Sequence, residues 1–334
     1  MPAKLRNNRL PMPYHQRGQA LIAITALLGI TLLVTVYTIT GSGNQTAINN
    51  QKTADALAQA KTALIGYAAS KANPTGGLPC PDVTDDGNSD SCTGAVFVGR
   101  LPWQTLGLPD LRDGSGERLW YALSPVFQDG SSITSNTSGQ LTVVDNTSDA
   151  VVQSNVIAII FSPGPVVSGQ TRDTAGENNI LNYLEGKNND GDSLFASGSS
   201  TDNFNDGILV ITQHDLFAVV DKSVFARIAG NSSSSTGLQW YVGKHGNYPC
   251  AAGADGKSTP STPPCLPSSD LVPYVDLGFD STAEPWNAGW LNNGVTDYAV
   301  SSPPSPTQAT VHFFAADHSI LTTCTADSSG TVCR

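Results

Sequence analysis

From Gly18 to Gln51 the chain carries no charged side chain, and no other feature constrains its fold and location as much. Residues 19–39 read QALIAITALLGITLLVTVYTI. As a helix that run spans about 31 Å at ~1.5 Å per residue, against a bilayer core about 30 Å thick. Lys4, Arg6, Arg9 and Arg17 precede it with no acidic residue among them, which sets the N-terminus on the cytoplasmic side. A removable secretory signal is the alternative, but its apolar core is normally ~7–15 residues long. The pattern predicts a retained single-pass helix over 19–40, with the body of the chain outside the cytoplasm.

That body is acidic. The net charge is −11; taking the four N-terminal cations from 17 basic residues leaves 13 against 28 acidic ones. Such a surface repels a phosphate backbone, which argues against nucleic acid as a partner. Charged residues are only 13% of the chain, beside 32 Gly and 21 Pro, a balance that favours strands, turns and loops over a helical bundle. Cysteines stand at 80, 92, 250, 265, 324 and 333, with no C-x-x-C among them, so zinc-ribbon and thioredoxin-like readings lose their main signal. An even count behind an export signal favours disulfides. Nearest pairing gives Cys80–Cys92, Cys250–Cys265 and Cys324–Cys333, each closing a short loop and contributing about 3 kcal/mol. Fifteen pairings are open to six cysteines.

The run Gln16-Arg17-Gly18-Gln19-Ala20-Leu21-Ile22 resembles the leader junction of type IV pilins and type II secretion pseudopilins. The resemblance implies cleavage after Gly18 by a prepilin peptidase and methylation of Gln19. It also implies an inner-membrane, single-pass chain with a periplasmic body, which joins other pilins or pseudopilins through its N-terminal helix and then lies in a filament or at the cell surface. Two positions depart from the family: Gln19 stands where Phe or Met is usual, and Ala23 where most members carry Glu. A start of this kind without Glu is similar to the minor subunits at filament tips. After Gly41-Ser42-Gly43, which weaken a helix, Ala54, Leu57, Ala58, Lys61, Leu64, Ile65 and Ala68 follow i, i+3, i+4, i+7 spacing. They predict an amphipathic helix over 44–72, stopped by Asn73-Pro74 and Gly76-Gly77.

Further along, Leu78-Pro79-Cys80-Pro81, Gly99-Arg100-Leu101-Pro102-Trp103, the turn at Asp113-Gly114-Ser115-Gly116 and the strand-like run over 157–162 look like elements of the same family in the same order. The likeness covers roughly 18–228 and implies an α+β, pilin-like fold: a long N-terminal transmembrane helix packed on an antiparallel β-sheet, followed by an additional β-rich C-terminal region. The expected segments are a leader over 1–18, the helix over 19–72, a globular domain over 73–228 and a β- and loop-rich region over 229–334. That last region echoes the domain before it. Tyr248-Pro249-Cys250 parallels Leu78-Pro79-Cys80, Leu277-Gly278-Phe279 parallels Leu106-Gly107-Leu108, and Tyr298-Ala299-Val300-Ser301 parallels Tyr121-Ala122-Leu123-Ser124. A degenerate repeat predicts equal strand orders in the two halves.

No catalytic signature stands out. His15, His214, His245, His312 and His318 form no metal-binding spacing, no G-x-S-x-G elbow occurs, and no enzymatic activity or resident cofactor is expected. The best site candidates are two acidic turns, Asp82, Asp85, Asp86, Asn88 and Asp90 around Gly87, and Asn188, Asp190 and Asp192 around Gly191. Calcium takes six to eight oxygens, which short Asp/Asn turns supply; the alternative is side-chain bonding to the turn's own backbone. The functional expectation is a minor or tip subunit of a type IV pilus or type II secretion filament. A membrane-anchored surface adhesin and a secreted hydrolase are the rivals.

Overall fold

A computed structural model describes residues 45–71, 75–94, 97–173, 176–231, 233–258, 265, 270–279, 289–291, 295–301 and 306–334. The chain divides into two compact units, 1–51 and 52–334. The described part of the first, 45–51, is helical, and the same helix, α1, runs to residue 70. In the second unit α1 buries Ala56, Leu57, Ala60, Leu64 and Ala68, while Ala54 and Ala58 are exposed. The stripe is thus turned from its expected course. With alanine on both sides of Leu57, side-chain size alone does not select the inward face.

Three sheets hold the strands. The first has the order β1 (Phe97–Arg100), β2 (Trp120–Leu123), β5 (Ala158–Ser162), β7 (Gly207–Ile211), every neighbour antiparallel. The second, also antiparallel, has the order β8 (Thr296–Val300), β9 (Gln308–Phe314), β10 (Ile320–Asp327), β11 (Gly330–Cys333). In the third, β3 (Leu141–Asp145) lies between antiparallel β4 (Val151–Val156) and parallel β6 (Leu194–Ser197). This corrects the expected fold class. The body is built on three sheets, one of them mixed, in place of one antiparallel sheet under a long helix, and the C-terminal region contains a helix. Among the described residues no helix is long and apolar enough to cross a membrane. That finding also corrects the expected inner-membrane, single-pass localisation; the stretch 19–40 that carried it lies outside the described residues.

Strand sequence follows what covers each face. Along β5 every residue is buried. Ala158 and Ile160 join the core that includes α1, while Ile159 and Phe161 meet Trp120, Leu141, Val143 and Phe195 on the other side. Covered on both faces, the strand is a continuous apolar run, and each fully buried Ile or Phe contributes about 2 kcal/mol. β9 alternates instead, burying Ala309, Val311 and Phe313 and leaving its other side half-exposed. Helix α2 (Gln213–Ala229) opens with a capping box between Thr212 and Asp215, a signal present in the sequence. It buries Leu216, Phe217, Val220, Val224, Phe225 and Ile228 between α1 and the second sheet. Ser223 donates to the Ala69 carbonyl at 2.8 Å, and Lys61 pairs with Asp215 at 2.9 Å. Phe217 packs on Phe127 and on Trp290, which meets Phe313. The short α3 (Leu238–His245) ends on Gly246 in the left-handed conformation. Disulfides join Cys80–Cys92, Cys250–Cys265 and Cys324–Cys333, the three nearest pairs, and the last ties directly opposed residues of β10 and β11.

Candidate ligand site between the two acidic turns

The first acidic turn is organised from within. Asp82 is buried and takes three backbone amides, from Thr84 at 3.0 Å, Asp85 at 2.7 Å and Gly87 at 2.6 Å. Burial raises its pKa, and the Gly87 and Asp85 amides oppose that rise. Asp90 accepts from the amides of Val83 and Thr84, and Asp86 from that of Asn88. Asp85, held at a φ of 62°, turns toward Arg118 at 2.7 Å and Arg100 at 3.9 Å. In the second turn Asp190 accepts from the Asp192 amide and Asp192 from that of Leu194. Asn188 is buried and bonds Ala196 in both directions. These bonds are the ordinary chemistry of Asx turns. Among the described residues no three His, Cys, Asp or Glu side chains gather as a metal-holding group. Gly18, Gln19 and Ala23 lie outside the described residues.

The two turns nonetheless meet. Asp82 of one and Asp190 and Gly191 of the other line a cavity of about 320 Å³, with Val98, Arg100 and Trp120. Arg100 dominates its wall, with a side chain only 5% exposed. The guanidinium carbon lies 4.3 Å from the Trp120 ring centre and 4.0 Å from that of Tyr183, two rings that themselves meet at 5.6 Å, so it makes a cation–π contact with each. Its Nη2 donates to the Glu177 carbonyl at 2.7 Å and its Nη1 to that of Arg118 at 3.3 Å. Its Nε and the Trp120 Nε1 are buried with no hydrogen-bond partner. Burial lowers the arginine's pKa, and the neighbouring Tyr183 and Asp85 counteract it. Arg100 thus fastens the segment bearing Glu177 and Tyr183 over β1 and β2.

Sequence reasoning missed several residues here. Glu185 and Asp206 form a buried carboxyl pair behind the second turn. Asp206 accepts from the Glu185 amide and the Asn188 side chain, both at 2.9 Å, while Glu185 accepts from Gln170 at 2.6 Å and the Asn205 amide at 2.9 Å. Burial, and then the Glu185 charge, raise the Asp206 pKa well above the carboxylate range. Such pairing joins residues far apart in the chain, and no local motif announces it. No protein-family model, curated protein or solved structure matches the chain.

Proposed function

We propose that the chain is a non-catalytic structural subunit, minor and low in copy number, of a type IV pilus or type II secretion filament. The observation that carries the reading is the seating of α1. Its face from Ala56 to Ala68 is sunk in the core, and its polar side chains are tied down along the same length. Lys61 reaches the Val210 carbonyl at 3.0 Å as well as Asp215, and Tyr67 and Lys71 both hold Asp129, at 2.9 and 2.7 Å. A body fastened to its leading helix in this way suits a subunit that is assembled and pulled by that helix. The junction over 16–22 supports the same reading, and three disulfides suit an oxidising, extracytoplasmic setting. The mature protein is then expected to begin at Gln19. N-terminal mass determination in cells with and without prepilin peptidase tests this. A bulky replacement of Gly18 should leave the full-length form, whereas a mature chain beginning near Asn44 would show ordinary signal-peptide removal and defeat the proposal.

The cavity over Arg100 favours a second reading, a binding protein or adhesin, which predicts no association with filaments.

A further inference from the structure

Two halves of the body share a set of corresponding hydrogen bonds. In the first, the Gln104 amide donates to the Gly87 carbonyl at 2.8 Å; in the second, Val275 donates to Gly256 at 3.0 Å. The Asn88 amide meets Asp86 Oδ1 at 2.8 Å, and Lys257 meets Asp255 at 3.1 Å. The Ser89 amide meets Thr105 at 2.8 Å, and Ser258 meets Asp276 at 2.6 Å. Asp82 donates to Arg100 as Ala252 does to Leu271, and Leu108 to Trp103 as Phe279 does to Tyr274. Gly87 and Gly256 both have positive φ, and a Cβ on either would strike the ring of Trp103 or Tyr274 respectively. Each turn leads into a sheet: Tyr121 pairs with Gly99 and Ile160, while Tyr298 bonds the Asp270 carbonyl and pairs with Val311. The order β1-β2-β5-β7 then corresponds to Asp270-β8-β9-β10, where Asp270 takes the place of a strand by one backbone bond to β8 and β11 is an added edge strand; α1 precedes the first, and α2 and α3 the second.

The enlarged connections are confined to the first copy. β8 and β9 are joined by residues 301–307, but β2 and β5 by 124–157, which contain β3 and β4. β9 and β10 are joined by 315–319, but β5 and β7 by 163–206, which contain β6. The third sheet is therefore built wholly from these two enlarged connections, and 163–206 also supplies Tyr183, Asn178 and Asp190. The position of Arg100 is held by Leu271 in the second copy, and that of Trp120 by Asp297. With Leu271 at that position, the scaffold does not require a guanidinium there.

We propose that the cavity over Arg100 is a binding site acquired by the first of two copies of one helix–disulfide loop–sheet unit, and that it takes a neutral sugar. Its lining sets Arg100 against the carboxyl groups of Asp82 and Asp190, so an anion meets like charge, and among the described residues no side chains gather to hold a metal cation. Asn178 and Asp190 offer exposed donors and acceptors beside the apolar Val98 and Ile180, the mixture that hydroxyls and the C–H faces of a sugar ring require. The full chain, titrated by saturation-transfer NMR with glucose, galactose, mannose, N-acetylglucosamine and their disaccharides, should bind at least one saturably. Asn178→Ala and Asp190→Ala, both at exposed positions, should weaken that binding about tenfold, a typical loss for one ligand hydrogen bond. Asp255→Ala, in the second copy's turn, should leave it unchanged. Binding of none of these sugars, binding insensitive to both cavity variants, or binding of inorganic phosphate in their place would overturn the proposal.

Discussion

The stability of the folded body is expected to fall steadily as pH rises from about 4 to about 8, by up to about 1.4 kcal/mol per pH unit for Asp221 alone. Asp221 lies inside α2, fully buried, with neither carboxyl oxygen in a well-formed hydrogen bond. Burial pushes its pKa to about 8, and Thr322 of the facing β10 opposes the shift. In the unfolded chain an aspartate ionises near 3.8. Between those values the folded state binds the extra proton, so its contribution is complete below the lower one and is lost as pH climbs through the higher. Asp206 is raised in the same sense and adds to the slope. Asp145, Asp317 and Asp327 act oppositely, because serine hydroxyls at positions 148, 319 and 329 lower their pKa values, so stability should peak near pH 4. Urea unfolding across this range measures the slope. Asp221→Asn, similar in shape and without charge, should lessen it, leaving the part due to Asp206, and exceed the wild type in stability at the alkaline end. An unchanged slope in Asp221→Asn would show that this carboxyl is not the cause.

Asp113→Ala is expected to be among the most damaging single changes, costing on the order of 4 kcal/mol. The carboxylate is fully buried. One oxygen accepts from the amides of Ser115 at 2.8 Å and Glu117 at 2.9 Å, the other from the Ser162 hydroxyl and the Gly164 amide, both at 2.9 Å. It thereby joins the turn after β1 to the end of β5, and the neighbouring Gly114 amide is held by Thr53 of α1. Truncation removes the acceptor of four donors, one of which, the Ser162 hydroxyl, belongs to a buried residue. Asp192→Ala, in an exposed turn with one bond, should cost under about 1 kcal/mol. Chemical denaturation of both variants checks the contrast, and similar losses would refute the bridging role of Asp113.

How much of this was legible in the sequence depended on range. The disulfides could be paired because each cysteine's nearest neighbour in sequence is also its neighbour in space. The run over 157–162 showed its burial because both faces of β5 are covered. The echo of Leu106-Gly107-Leu108 in Leu277-Gly278-Phe279 survived because the turn needs glycine at a φ of 68° in one case and 77° in the other. Helix α2 opens on a capping box written locally in Thr212 and Asp215, whereas the burial of its Asp221 depends on what packs against it. The site was legible only as two separate acidic turns. Their meeting over Arg100 depends on 163–206 folding back across β1 and β2, and on one arginine stacking against rings at positions 120 and 183. No pattern within a short window encodes that.

We propose above a filament subunit present in few copies. In the pilin family the glutamate absent at Ala23 neutralises the amine of the subunit added before, and an uncompensated buried charge costs several kcal/mol. A chain with Ala23 gives no such group to a subunit above it and so suits the first position. Immunogold labelling of purified filaments, with an antibody against the body, tests this directly. Sparse label at filament ends is the expected result; dense label along the shaft, or filaments without label, would refute the proposed position.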